Sequence, residues 1–239
     1  MQRFVLLIAA IIFSGTCPGQ DTLKKDRSFH LVLENGTGSG NKFLYTGIIT
    51  NYGNDVIIYE GGGFPRLGLG AGYTWKKHFD VAAILGFQES VSIPPINNGS
   101  VYFDKTMLNA EFRYILFAGK RKRSHFNIGT GMVNFVSSII DADFSAIPGR
   151  SHEVYRYKYA AGAKFMAEYE WFTRSGKFSF GGGYEFLAGN LRLSSVTYND
   201  VNIPLSDLET DAAVRYVHAN TNNFYIRFGW HFGFGKAMK

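Results

Sequence analysis

The sequence predicts an all-β chain: an antiparallel up-and-down transmembrane barrel of eight strands, with ten as the alternative. Three observations carry this. Residues 155–171 alternate over 17 positions, with Tyr155, Tyr157, Tyr159, Ala161, Ala163, Phe165, Ala167, Tyr169 and Trp171 on one parity. Arg156, Lys158, Lys164, Glu168 and Glu170 fall on the other. A strand sends successive side chains to opposite faces, so this reads as one long strand with an apolar and a charged side. Second, short basic turns framed by aromatics alternate with longer polar segments. Third, residues 20–239 contain no apolar run near 18 residues, so a helical membrane crossing is excluded, while the chain is 46% hydrophobic and 16% aromatic with 28 glycines.

Taken in order, residues 1–19 read as a signal peptide. Arg3 supplies a basic start, Phe4 to Phe13 an apolar run too short to span as a helix, and Ser14 to Gly19 a small, polar end. Cleavage after Gly19 is expected, leaving residues 20–239 as one barrel domain. Cys17 is the sole cysteine, and Ser14-Gly15-Thr16 before it is a poor lipidation sequence. A mature chain without cysteine has no disulfide, cysteine-metal site or cysteine nucleophile.

The short turns are Trp75 to Phe79, Phe117 to Phe126 and Trp171 to Phe178. The longer segments are 35–63, 90–102, 138–153 and 194–213. Short turns at the periplasmic end and long loops outside are the layout of a bacterial barrel. Strands are expected near 28–34, 64–75, 78–89, 104–117, 125–137, 154–172, 177–193 and 214–234. This places Trp75, Trp171 and Trp230 at one interface, as an aromatic girdle requires. Phe43 to Thr50 and Asp55 to Glu60 also read as strands; if both cross, the count is ten.

The parity of each strand then fixes an interior. Arg66, Arg113, Arg156, Lys158, Lys164 and Arg227 face it, with Asp80, Glu111, Glu168, Glu170 and Glu185. An eight-stranded barrel is just wide enough for side chains to fill. A charge network plugging the lumen is therefore expected from Arg66, Asp80, Glu111, Arg113, Lys158, Lys164, Glu168, Glu170, Glu185 and Arg227. Lys164 and Glu168, about 13 Å apart along a strand, must each pair across the barrel. A soluble barrel would invert the faces, leaving Gly68, Gly70, Gly72, Gly181 and Gly183 wet, where glycine weakens a strand and packs nothing.

On the last strand Phe224, Ile226, Phe228, Trp230, Phe232 and Phe234 share a face. This resembles the C-terminal strand of outer-membrane proteins, and the resemblance implies recognition by the barrel-assembly machinery. Here Gly235 to Lys239 follow the aromatic end, a departure from that pattern. The whole of residues 20–239 is similar in layout to small outer-membrane barrels of the OmpA-barrel and OmpW types. That similarity implies contact with outer-membrane lipids and lipopolysaccharide, and a structural or surface-interaction role through the loops. The OmpW likeness adds an alternative, passage of a small or hydrophobic ligand beneath the loops, with Phe43, Tyr45, Ile48 and Tyr59 as the pocket.

No enzymatic role, cofactor or metal site is expected. His30, His78, His125, His152, His218 and His231 have no metal-ligand spacing, and Gly61–Gly63 and Gly181–Gly183 lack the following helix of a phosphate loop. Val217 to Asn222 weakly resembles the His-x-Ser-Asn motif of lipid A deacylases. His218 matches the histidine, but Asn220 stands where the nucleophile belongs. Asp141, Asp143, Asp207, Glu209 and Asp211 ring the mouth as in omptin proteases, without the Asp-x-His of that family. The net charge of +6 resides in turns and lumen, not on a basic helix or an RNA-binding aromatic motif, which excludes nucleic acid.

Overall fold

The computed structural model describes residues 27–40, 43–46, 56–59, 63–75, 78–91, 99–118, 124–146, 152–172, 177–189, 191–205 and 221–233. Thirteen strands appear among them: β1 (Arg27–Gly40), β2 (Phe43–Thr46), β3 (Val56–Tyr59), β4 (Gly63–Trp75), β5 (Phe79–Val91), β6 (Ser100–Ala118), β7 (Ser124–Asp143), β8 (His152–Tyr157), β9 (Ala160–Phe172), β10 (Lys177–Phe186), β11 (Leu193–Tyr198), β12 (Val201–Ile203) and β13 (Asn223–Gly233).

Eight of them close a barrel. Antiparallel pairing runs β4-β1-β13-β10-β9-β7-β6-β5 and back to β4. The seam joins β1 to β13, from His30–Gly233 to Gly40–Asn223. β2 and β3 pair only with each other among the described strands, so the count is eight and not ten.

Alternation decides what each face meets. From the short-turn end through the middle of the barrel, Leu69, Leu85, Leu108, Phe112, Met132 and Phe165 project outward and are exposed. Arg66, Asn109, Glu111, Arg113, Lys164 and Arg227 project inward and are buried. Trp75, Trp171 and Trp230 all lie at the short-turn end, and Trp171, Phe178, Trp230 and Phe232 form a continuous row of rings with centroids 5.7, 3.9 and 5.2 Å apart.

Residues 155–171 are not one strand, as the alternation predicts, but two of opposite parity. β8 ends at Tyr157 and β9 starts at Ala160. The cause lies next door. On β7, Thr106 pairs with Ser137 and Met107 with Phe135, which leaves Val136 as an extra residue. A bulge of one residue turns the rest of its strand over. Val133 and Phe135 point inward below the bulge, and Ser138, Ile140 and Ala142 point inward above it. β8 follows β7, pairing Ile139 with Arg156. Tyr155 and Tyr157 are therefore buried, whereas Arg156 and Lys158 are exposed. Both cations were expected in the lumen and lie outside it.

Above the bulge the arrangement is that of a water-soluble sheet. β7, β8, β11 and β12 form an extension whose apolar side chains turn inward. Phe103, Ile140, Tyr155, Tyr157, Leu191 and Val196 pack into a small core over the lumen. β11 and β12 turn through Asn199 and Asp200, both left-handed (φ 47° and 64°), as a two-residue hairpin requires. The Asn199 amide donates to the His152 carbonyl (2.8 Å), and its side-chain oxygen accepts from the His152 amide (2.9 Å), fixing the hairpin to β8.

Candidate functional site

Barrel closure brings side chains from β1, β4, β5, β6, β9, β10 and β13 into one interior cluster. Glu111 on β6 is its hub. It accepts two parallel hydrogen bonds from Arg227 (2.7 and 2.9 Å), two from Arg113 (2.7 and 3.2 Å) and one from Lys164 (2.5 Å). Arg227 also holds Glu34 at 2.6 Å and donates through Nε to Glu168. Arg113 reaches Asp80 at 3.5 Å and Glu168 at 3.6 Å. A second centre joins Arg66 to Glu185 through two bonds of 2.9 and 2.5 Å. Asn223 donates to the same carboxylate at 2.7 Å, and Lys164 stands 3.8 Å from it. The Tyr225 ring lies under Arg66 at 4.4 Å and beside Lys164 at 5.0 Å. Paired, multiply hydrogen-bonded charges are the form in which ions are tolerated out of water.

Of the residues expected in this network, Arg66, Asp80, Glu111, Arg113, Lys164, Glu168, Glu185 and Arg227 come together. Glu170 lies at its short-turn end with Lys177 at 3.3 Å. Lys158 stands outside for the reason given above. Lys164 and Glu168 find separate partners. Glu34 is an addition. Its pairing with Gly68, on the glycine-rich inward face of β4, would have identified it had that strand been aligned.

A second cluster lies nearer the short turns. His30 on β1, Asp80 on β5 and His231 on β13 are all buried and present ligand atoms within 4.8 Å of one another. A search for ligands close in sequence misses it, because three strands supply one residue each.

At the long-loop rim, Asp141 stands 2.9 Å from His152, and Asp143 accepts from the Ser145 amide (2.9 Å) and hydroxyl (2.6 Å). Phe43, Tyr45 and Tyr59 belong to β2 and β3, whose backbone pairing alone is described. Ile48, Asp207, Glu209, Asp211, His218, Asn220 and residues 1–26 lie outside the described residues. On the outer wall a shallow groove of about 670 Å³ runs between Tyr73 and Phe112, over Ala71, Ala83 and Ala110, which are aligned across β4, β5 and β6.

Just above the apolar belt, which on β6 begins at Leu108, Asp104 faces Glu89 directly across the β5–β6 pair. Burial, Glu89 and Asp141 push its carboxyl up to about 6. The folded state then holds this proton more tightly than the unfolded chain, so stability falls as pH rises from about 4 to about 6. Asp104→Asn is expected to remove that slope from urea-unfolding midpoints measured across this range; an unchanged slope would count against the assignment.

No family model and no curated protein matches the sequence. Among solved structures, the chain is similar to the crystal structure of Neisserial surface protein A (NspA), with a TM-score of 0.46 and 9% identity over 87% of this chain and 97% of that one.

Proposed function

We propose that the chain is an integral outer-membrane barrel of a Gram-negative cell, exported by a signal peptide cleaved after Gly19. Its lumen is closed, and it has a non-enzymatic, structural or surface-interaction role. It acts through the extension built from β7, β8, β11 and β12, together with the long loops. One observation carries this reading: the faces invert at Val136. Below the bulge apolar side chains look outward and charges inward; above it the apolar side chains look inward. Hydrocarbon around the first part and water around the second account for the change.

Lipid acyl chains cover the belt and fill the alanine groove, and lipopolysaccharide meets the rim. The aromatic face of β13 is the segment offered to the barrel-assembly machinery. No cofactor is invoked in this reading. Charges bonded across the lumen, with an apolar core above them, support a closed lumen.

The test is direct. The full chain folded in detergent should change its gel mobility on boiling, and planar bilayers containing it should stay electrically silent. Unchanged mobility would overturn the membrane barrel. Steady conductance would favour the alternative, passage of a small or hydrophobic solute.

A further inference from the structure

We propose that His30, Asp80 and His231 form a binding site for a divalent cation of the zinc class, at the short-turn end of the lumen. Two imidazoles and one carboxylate are a donor set suited to zinc and its first-row neighbours. The three side chains are 3%, 2% and 1% exposed, so they are not a chance surface cluster.

The spacing suits an ion better than a direct bond. Nε2 of His30 lies 3.6 Å from Oδ1 of Asp80. That exceeds the ordinary range for a hydrogen bond. It is close to the roughly 3.4 Å separating two ligands of a tetrahedral zinc with bonds of about 2.1 Å. The ligand atoms as a set, within 4.8 Å, need only a side-chain adjustment of about 1 Å to close on an ion of that size.

Polar atoms of the cluster are also left over. Oδ1 of Asp80 and Nδ1 of His231 are buried with no hydrogen-bond partner among the described residues. Buried polar atoms are nearly always bonded, so each such exception asks for a missing partner. The other oxygen of Asp80 faces Arg113 at 3.5 Å, which positions the carboxylate and leaves Oδ1 for the ion. The other nitrogen of His231 lies 3.3 Å from the Ser179 hydroxyl. An imidazole oriented through one nitrogen and available through the other is the usual state of a metal-binding histidine.

The backbone makes room for this group at two positions. A Cβ on Gly72 would stand 2.3 Å from Nε2 of His30, and one on Gly229 would stand 2.3 Å from the Ser179 hydroxyl and 3.3 Å from Nε2 of His231. Both glycines thus keep clear the nitrogens of the cluster. The strands hold the spacing: Val32 pairs with His231 and His30 with Gly233, so the two histidines are diagonal neighbours across the seam.

Zinc alone, titrated calorimetrically into the metal-stripped full chain folded in detergent, tests the site. One equivalent should bind. His30→Gln, Asp80→Asn and His231→Gln should each weaken binding by at least tenfold, Ser179→Ala by about tenfold, and His152→Gln not at all. The boiling-induced mobility shift shows which variants fold, and Ser179→Ala supplies a milder variant should the others not. Cobalt absorption should report a nitrogen- and oxygen-ligated site that the same variants lose. Absence of binding, or binding that survives the ligand variants undiminished, would overturn the proposal.

Discussion

Glu111→Ala should lower the stability of the folded barrel by about 4 kcal/mol, the loss typical of removing one partner from buried charges. The size follows from the hub geometry. Arg113, Lys164 and Arg227 all bond to this carboxylate, and none has water to turn to. Lys164→Ala should cost less, about 3 kcal/mol, because Glu111 keeps two arginines and Glu185 keeps Arg66. Ala163→Ser, one residue along the same strand and on the outer parity, is the matched control and should be nearly neutral. Urea unfolding in liposomes measures all three. Equal, small effects of Glu111→Ala and Ala163→Ser would mean that the interior is wet and the charges are solvated.

Leu85→Arg should destabilise by about 2–4 kcal/mol, the range for a cation on the lipid face of a barrel near the bilayer midplane. Leu85 is 55% exposed. In water such a change would be almost silent, typically within about 0.5 kcal/mol. The contrast with Tyr198→Arg is informative, because Tyr198 on β11 is 45% exposed but belongs to the extension above the bulge. The first variant should fail to fold efficiently into lipid vesicles and the second should fold as the parent does. Similar behaviour of the two would place both residues in one solvent and end the membrane reading.

Architecture was largely legible in the sequence because it is written as parity. The strands on either side of the three short turns needed only alternation and aromatic punctuation to be placed. The interior charges followed, since a residue on the face opposite Leu69, Leu85 or Phe112 has nowhere else to point. Failures came where parity itself changes. Tyr155 and Tyr157 continue the apolar series of Phe165 and Tyr169 without interruption in sequence, yet they face the opposite way. Nothing in those letters marks the switch, because its cause, Val136, sits on a different strand. On the proposed membrane reading the solvent also changes there, so the same pattern holds on both sides with its meaning reversed. The His30, Asp80 and His231 cluster was illegible for a related reason. Its members are distant in the chain, and only the closure of β1 on β13, with β5 curving round, brings them together.

The seam between β1 and β13 has a consequence for biogenesis. Until β13 pairs, β1 and β10 each present a bare edge, and in hydrocarbon every unsatisfied amide or carbonyl costs several kcal/mol. A chain lacking its final strand is therefore not a slightly weaker barrel but an object with no stable place in a bilayer. On the proposed membrane reading, pairing of β13 with both β1 and β10 is therefore a condition of stable insertion.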